Sequence, residues 1–160
     1  MVKVPPRDFA AFLFDMDGTI LSSIAAAERV WTRWAEQHGL DVAVFLPTIH
    51  GVRAVDTIRL LRLPGVDAER EAAALALAEI ADVDGVQPIA GAVAFLSSLP
   101  ANRWAIVTSA PRQLAQARLA AAGIAPPAVL VTAEDVTHGK PQPDCYQLAA
   151  DSLGAMCGTA

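Results

Sequence analysis

The run Phe9 to Phe14, FAAFLF, is apolar at every residue and ends at Asp15. A strand with one wet face alternates apolar and polar residues. An unbroken apolar run of this length instead fits a strand covered on both faces. Strands covered on both faces belong to parallel sheets, because the crossover helices pack on either side. This one segment therefore points to an α/β fold.

Both ends of the chain agree. Trp104 to Val107 (WAIV) reads as a second strand and Ala128 to Val131 as a third. Helices are expected over Gly91 to Leu99, over Pro111 to Ala122 with proline at its start and Gly123 as its stop, and over Asp144 to Leu153. Alternating strand and helix implies a parallel sheet. The middle, residues 21–85, reads as helical only. Ser22 and Ser23 can cap a helix from Ile24 to His38 that Gly39 ends. Val30, Trp31 and Trp34 give it an apolar stripe at three- and four-residue spacing. Further helices are expected over Arg53 to Leu63, stopped by Pro64-Gly65, and over Asp67 to Ala81. Asp82 to Pro88 (DVDGVQP) is a turn-rich linker.

The chain has 160 residues, enough for one ordinary domain or a small core with an insert. At 54% hydrophobic and 18% charged residues it is too apolar for disorder. A formal net charge of −5 argues against a nucleic-acid binder, which would carry a basic patch. Alanine, about a fifth of the chain, raises the hydrophobic fraction without making a membrane span. The apolar run after Met1 to Arg7 is cut by Asp15 and Asp17, too short for a signal peptide. Cys145 and Cys157 match no metal or redox spacing, and two free thiols fit a reducing cytoplasm.

Three segments carry chemistry. Asp15-Met16-Asp17-Gly18-Thr19 follows the first strand directly, and ligands of open α/β sheets bind at the carboxyl ends of strands. Two carboxylates on one tight turn can take different jobs, one facing substrate and metal, the other exchanging protons. An ordinary Asp-Gly turn with two solvated acids reads the same way in isolation. Thr108-Ser109 ends the second strand at a helix N-terminus, where a hydroxyl and free N–H groups can hold an anion or merely cap the helix. Lys140, one of only two lysines, sits in Gly139-Lys140-Pro141-Gln142-Pro143-Asp144 after the third strand. An ammonium held by flanking prolines would neutralise a phosphate, although a lone loop lysine is usually a surface residue.

Taken together, DMDGT, the strand ending VTS, and GKPQPD resemble the first three motifs of the haloacid dehalogenase superfamily of phosphatases. The helical segment between the first two motifs is similar to the cap of its sugar-phosphatase and β-phosphoglucomutase branch. The stretches AERVWTRWAEQHG and HGVRAVDTIRLL look closest to small sugar-phosphate phosphatases. The resemblance implies a Rossmann-like parallel-sheet core over residues 1–20 and 86–160, with an all-helical cap over 21–85 inserted after the first strand. It implies Asp15 as nucleophile and Asp17 as general acid and then base. It implies Mg²⁺ held by Asp15 and by the Asp17 carbonyl. Thr108 and Lys140 would stabilise the transferring phosphoryl group. The N–H groups of Ser109 and Gly18 are lesser candidates for that task. His50, Gly51 and Arg53 would face the substrate from the cap, or stand as an ordinary surface loop. The substrate implied is a small phosphorylated sugar or polyol, with no nucleic acid or membrane partner.

Two departures stand out. Ser22-Ser23 replaces a pair in which an aspartate often precedes the serine. The family's fourth motif, acids on a strand beyond the lysine that complete the Mg²⁺ site, is missing. Twenty residues follow Lys140, and their acids, Asp144 and Asp151, are not at that place. The expectation is a C-terminally truncated or frame-shifted member with weak metal binding and slow turnover, though a natural short form fits the sequence too. Loss of the strands beside the first one would leave FAAFLF on an open edge, which predicts self-association there. Three functions stay open: a Mg²⁺-dependent sugar-phosphate phosphatase, a phosphoglucomutase-type transferase, and a non-catalytic phosphate-binding remnant. Dehalogenation itself uses the first aspartate without the second acid, and Asp17 argues against it.

Overall fold

A computed structural model describes residues 9–155, so Lys3, Cys157 and the stretch Met1 to Arg7 lie outside the described residues. In chain order the elements are β1 (Phe12–Phe14), β2 (Leu21–Ser22), α1 (Ile24–Gln37), α2 (Val42–Phe45), α3 (Ala54–Leu61) and α4 (Ala68–Ala81). Then come β3 (Gln87–Pro88), α5 (Ala92–Ser98), β4 (Trp104–Val107), α6 (Arg112–Ala121), β5 (Val129–Val131) and α7 (Asp144–Ser152). Single 3₁₀ turns follow α2 and β5, at Leu46–Thr48 and Ala133–Asp135.

β1, β4 and β5 form a parallel sheet in the order β1-β4-β5. The central strand is the WAIV run, buried at all four residues. Its side chains alternate between faces, as the pleat requires. Trp104 and Ile106 pack with Leu96 of α5 and Ala115 and Leu119 of α6. Ala105 and Val107 pack with Cys145 and Ala149 of α7. Cys145 is a free, buried thiol. Ile106 is fully buried. Ile106→Ala is therefore expected to lower the unfolding free energy by about 2–5 kcal/mol in urea titration, the usual cost of such a cavity.

β1 is shorter than the apolar run that predicts it. Among the described residues its only neighbour is β4, which begins at Trp104, and the last bond of the ladder runs from the Phe12 N–H to the Arg103 carbonyl at 2.8 Å. Phe9 to Ala11 have no strand beside them among the described residues, and Phe9 is exposed. Among the described residues β1 is an edge strand.

The stretch 21–85 is not helical only. β2 pairs antiparallel with β3, Leu21 opposite Pro88 and Ser22 opposite Gln87. This two-residue ribbon puts the start of the helical segment beside its return. Arg29 of α1 fastens the return further, donating to Asp82 at 2.5 and 3.1 Å and to the Asp84 carbonyl at 2.8 Å. α2 is a single turn capped by Asp41, which accepts from the Ala43 and Val44 N–H groups. One turn is too short to show periodicity. α1 to α4 enclose their own core, with Trp31, Trp34 and Phe45 at ring-centroid separations of 5.6–5.7 Å and Ile58 and Leu75 beside them. The predicted stripe of Val30, Trp31 and Trp34 is buried. No helix among the described residues is long and apolar enough to cross a membrane.

Candidate active site

Each sheet strand ends in one of the segments singled out above, and a parallel sheet places those ends together. Asp15 follows β1, Thr108 follows β4, and the loop that carries Lys140 follows β5. A cavity of about 190 Å³ opens there, lined by Asp15, Asp17, Thr108 and Ser109 from the sheet side and by His50 and Gly51 from the helical side. Lys140 closes on the same point. Its ammonium donates to Asp15 Oδ1 and, at 3.0 Å, to the Val107 carbonyl at the end of β4. It also lies 5.2 Å from the centre of the Tyr146 ring. Burial pushes the Lys140 ammonium toward neutrality, but the Asp15 carboxylate outweighs this and raises its pKa above the ordinary value. Lys140 is thus a fixed cation across physiological pH. The other Asp15 oxygen has no hydrogen-bond partner among the described residues.

Thr108 is buried. Its Oγ1 accepts from the Ala110 N–H at 3.1 Å, which leaves the hydroxyl proton for another acceptor. The N-terminus of α6 is less open than expected. Pro111 has no N–H, and the Arg112 N–H is taken by the Glu134 carboxylate at 2.9 and 3.1 Å. Gly18 is corrected as a phosphate donor, because its N–H bonds the Leu21 carbonyl at 2.8 Å. Its φ of 79° makes the turn, which is the reason for glycine there. Ser109 keeps an N–H with no described partner, while its hydroxyl donates to the Gly51 carbonyl at 3.0 Å.

His50 and Gly51 reach the cavity, with His50 Nε2 3.8 Å from Glu28. Arg53 stands elsewhere. Its guanidinium is held by Asp56 at 2.6 Å and by the Thr137 carbonyl at 3.1 Å. It lies so close over the loop that a Cβ on Gly139 would meet its Nε at 2.6 Å. The glycine of GKPQP is thus room for Arg53, which ties α3 to the lysine loop.

Sequence reading misses three residues, Ser23, Arg118 and Glu79. Ser23, expected to cap α1, makes no cap bond and donates instead to Asp17 Oδ1 at 2.6 Å. Arg118 of α6 donates to the same oxygen at 3.0 Å and to Glu79 of α4 at 3.0 Å. Burial pushes the Glu79 carboxyl above its ordinary value, and only in part does Arg118 oppose this. The signal was present: Arg118 falls on the buried stripe Leu114, Ala115, Leu119, and Glu79 lies one turn from buried Leu75. A charge on an apolar stripe demands a partner.

The oxygens of Asp15 and Asp17 are hard donors and fit Mg²⁺ in kind. They are few. The described residues contain no group of three or more His, Cys, Asp or Glu side chains placed to hold a metal. On the described residues alone, most of a six-oxygen shell would fall to water and phosphate.

A parallel sheet with paired aspartates after its first strand, a threonine after its centre and a lysine after its third strand is a recurring arrangement. The model of haloacid dehalogenase-like hydrolases matches residues 9–157, and the chain belongs to that family. It is 42% identical over 149 residues to hexitol phosphatase A of Escherichia coli, covering 89% of this chain and 68% of that protein. It is 36% identical over 156 residues to 2-deoxyglucose-6-phosphate phosphatase 2 of Saccharomyces cerevisiae, covering 88% of this chain and 63% of that protein. The chain thus spans about two thirds of the length of these relatives. Among solved structures, a hydrolase from Pseudomonas syringae superposes with a TM-score of 0.75 at 24% identity, over 92% of this chain and 72% of that one. CbbY from Rhodobacter sphaeroides, in complex with phosphate, gives a TM-score of 0.72 at 22% identity, over 91% and 73%. At those identities the likeness is one of fold.

Proposed function

We propose that this chain has the chemistry of a phosphomonoester hydrolase for small sugar or polyol phosphates. The observation that carries the reading is that Asp15, Asp17 and Thr108, from two strand ends, line one cavity, and Lys140, from the loop after a third strand, bonds Asp15 there. The activities for which the two relatives above are named support the substrate class. Asp15 is the nucleophile: its oxygen attacks phosphorus while Lys140 and the Thr108 hydroxyl draw charge from the phosphoryl oxygens. Asp17 gives its proton to the departing sugar oxygen, then takes one from the water that releases phosphate. Asp15 and the Asp17 carbonyl would hold Mg²⁺, which would supply neutralisation of the phosphoryl charge. Residues 21–85 act as the cap, with His50 and Gly51 toward the substrate.

The test is inorganic phosphate release from a panel of hexitol, hexose and glycerol phosphates, with Mg²⁺ and then with excess chelator. Release that needs Mg²⁺ and favours one polyol or sugar is the expected result. Tight binding of these compounds with no release in Mg²⁺ would replace the hydrolase by a phosphate-binding protein.

A further inference from the structure

Arg118 is a cation with about 8% of its side chain exposed, and it sits between two acids that belong to different parts of the fold. Asp17 lies on the turn after β1, and Glu79 lies on α4, whose side chain is also about 8% exposed. A guanidinium is a rigid planar fork, so anchoring one nitrogen fixes where the other points. Here Nη1 goes to Asp17 and Nη2 to Glu79, both at 3.0 Å. Arg118 and Ser23 both donate to Oδ1 of Asp17. Oδ2 has no hydrogen-bond partner among the described residues, and Asp17, Glu79 and Arg118 all line the 190 Å³ cavity.

We propose that Arg118 is a positioning residue that turns Asp17 Oδ2 toward the substrate, and that Glu79 makes this hold depend on α4 being docked against α6. The inference rests on the role of Asp17 as acid proposed above. Two donors hold Oδ1 in place, so Oδ2 is the oxygen left to carry the proton that Asp17 gives as acid. From there it passes to the leaving oxygen as the bond from phosphorus to that oxygen breaks and the Asp15 oxygen bonds phosphorus. When α4 moves off α6, Glu79 leaves the fork, and nothing else among the described residues holds Nη2. The helical layer thereby reports its position to the acid through one side chain.

The experiment compares two substrates, a hexitol phosphate, whose alkoxide needs a proton to leave, and p-nitrophenyl phosphate, whose phenolate leaves without one. Arg118→Ala is expected to lower kcat on the hexitol phosphate at least about tenfold more than on p-nitrophenyl phosphate, a modest share of what a general acid contributes. Glu79→Gln shifts the ratio the same way by less, and Arg118→Lys restores part of it. Equal losses on both substrates overturn the proposal, since a structural defect does not distinguish leaving groups. A second measurement needs no activity. Asp17→Asn and Glu79→Gln, singly and together, are unfolded in urea. Coupling through Arg118 makes their effects on the unfolding equilibrium constant non-additive by at least about threefold, and additivity overturns the relay. Absence of phosphate release by the unaltered chain on both substrates refutes the hydrolase reading instead, and the urea cycle then decides the Arg118 linkage alone.

Discussion

Asp15→Asn is expected to reduce phosphate release at least about a thousandfold, the scale on which removing a nucleophile acts. The change is small in shape and large in chemistry. An amide oxygen does not form a stable acyl phosphate, and the amide weakens the ion pair with Lys140. The Asp15 side chain is about one third exposed, so its ion pair contributes little to stability, and the melting temperature is expected to move little. A second readout is direct. Acid-quenched protein, digested and weighed, should show phosphate on the peptide that carries Asp15 in the unaltered chain and not in the variant. Turnover within tenfold of the unaltered protein would remove Asp15 from the nucleophile's role.

The parts of this site that could be read from sequence are those in which local composition and chain order coincide. WAIV reads as a buried central strand because all four residues are apolar, and it is buried at all four. DMDGT, VTS and GKPQPD are legible because a parallel sheet puts successive strand ends on one edge, so order along the chain becomes proximity in space. What stayed hidden depends on pairs distant in sequence. Arg118 and Asp17 are 101 residues apart, and Arg118 and Glu79 are 39 apart. The apolar stripes mark Arg118 and Glu79 as buried charges, but which partner each takes is fixed only when the helices pack. Ser23 misled for a different reason: a serine before a helix has two uses for its hydroxyl, and propensity names only the commoner one. Arg53 is held by Asp56 and by carbonyls of the loop before Gly139, and backbone carbonyls carry no sequence signal.

The same distinction separates stability from function at the lysine. Lys140→Ala is expected to weaken inorganic phosphate or vanadate binding by roughly 10- to 100-fold in titration calorimetry, the worth of a charge-assisted hydrogen bond. It also deprives the Val107 carbonyl of a donor and leaves Asp15 without its cation, so two like charges, carboxylate and phosphate, face each other unscreened. Lys140→Arg does not repair this. Only 14% of the Lys140 side chain is exposed, and the broad guanidinium must displace either the Val107 carbonyl or the Tyr146 ring to reach Asp15. The ion pair's own contribution to stability has a definite sign with pH. The Lys140 pKa is raised in the fold, so that contribution is fully present below the unfolded lysine value of about 10.4 and is lost only as pH climbs through the raised value. Between pH 6 and 8 the loss of binding should therefore be pH-independent after correction for phosphate's own ionisation. Unchanged affinity in Lys140→Ala would mean that the ammonium serves Asp15 and the end of β4 alone, and the phosphate would have to be held by Thr108 and the Ser109 N–H.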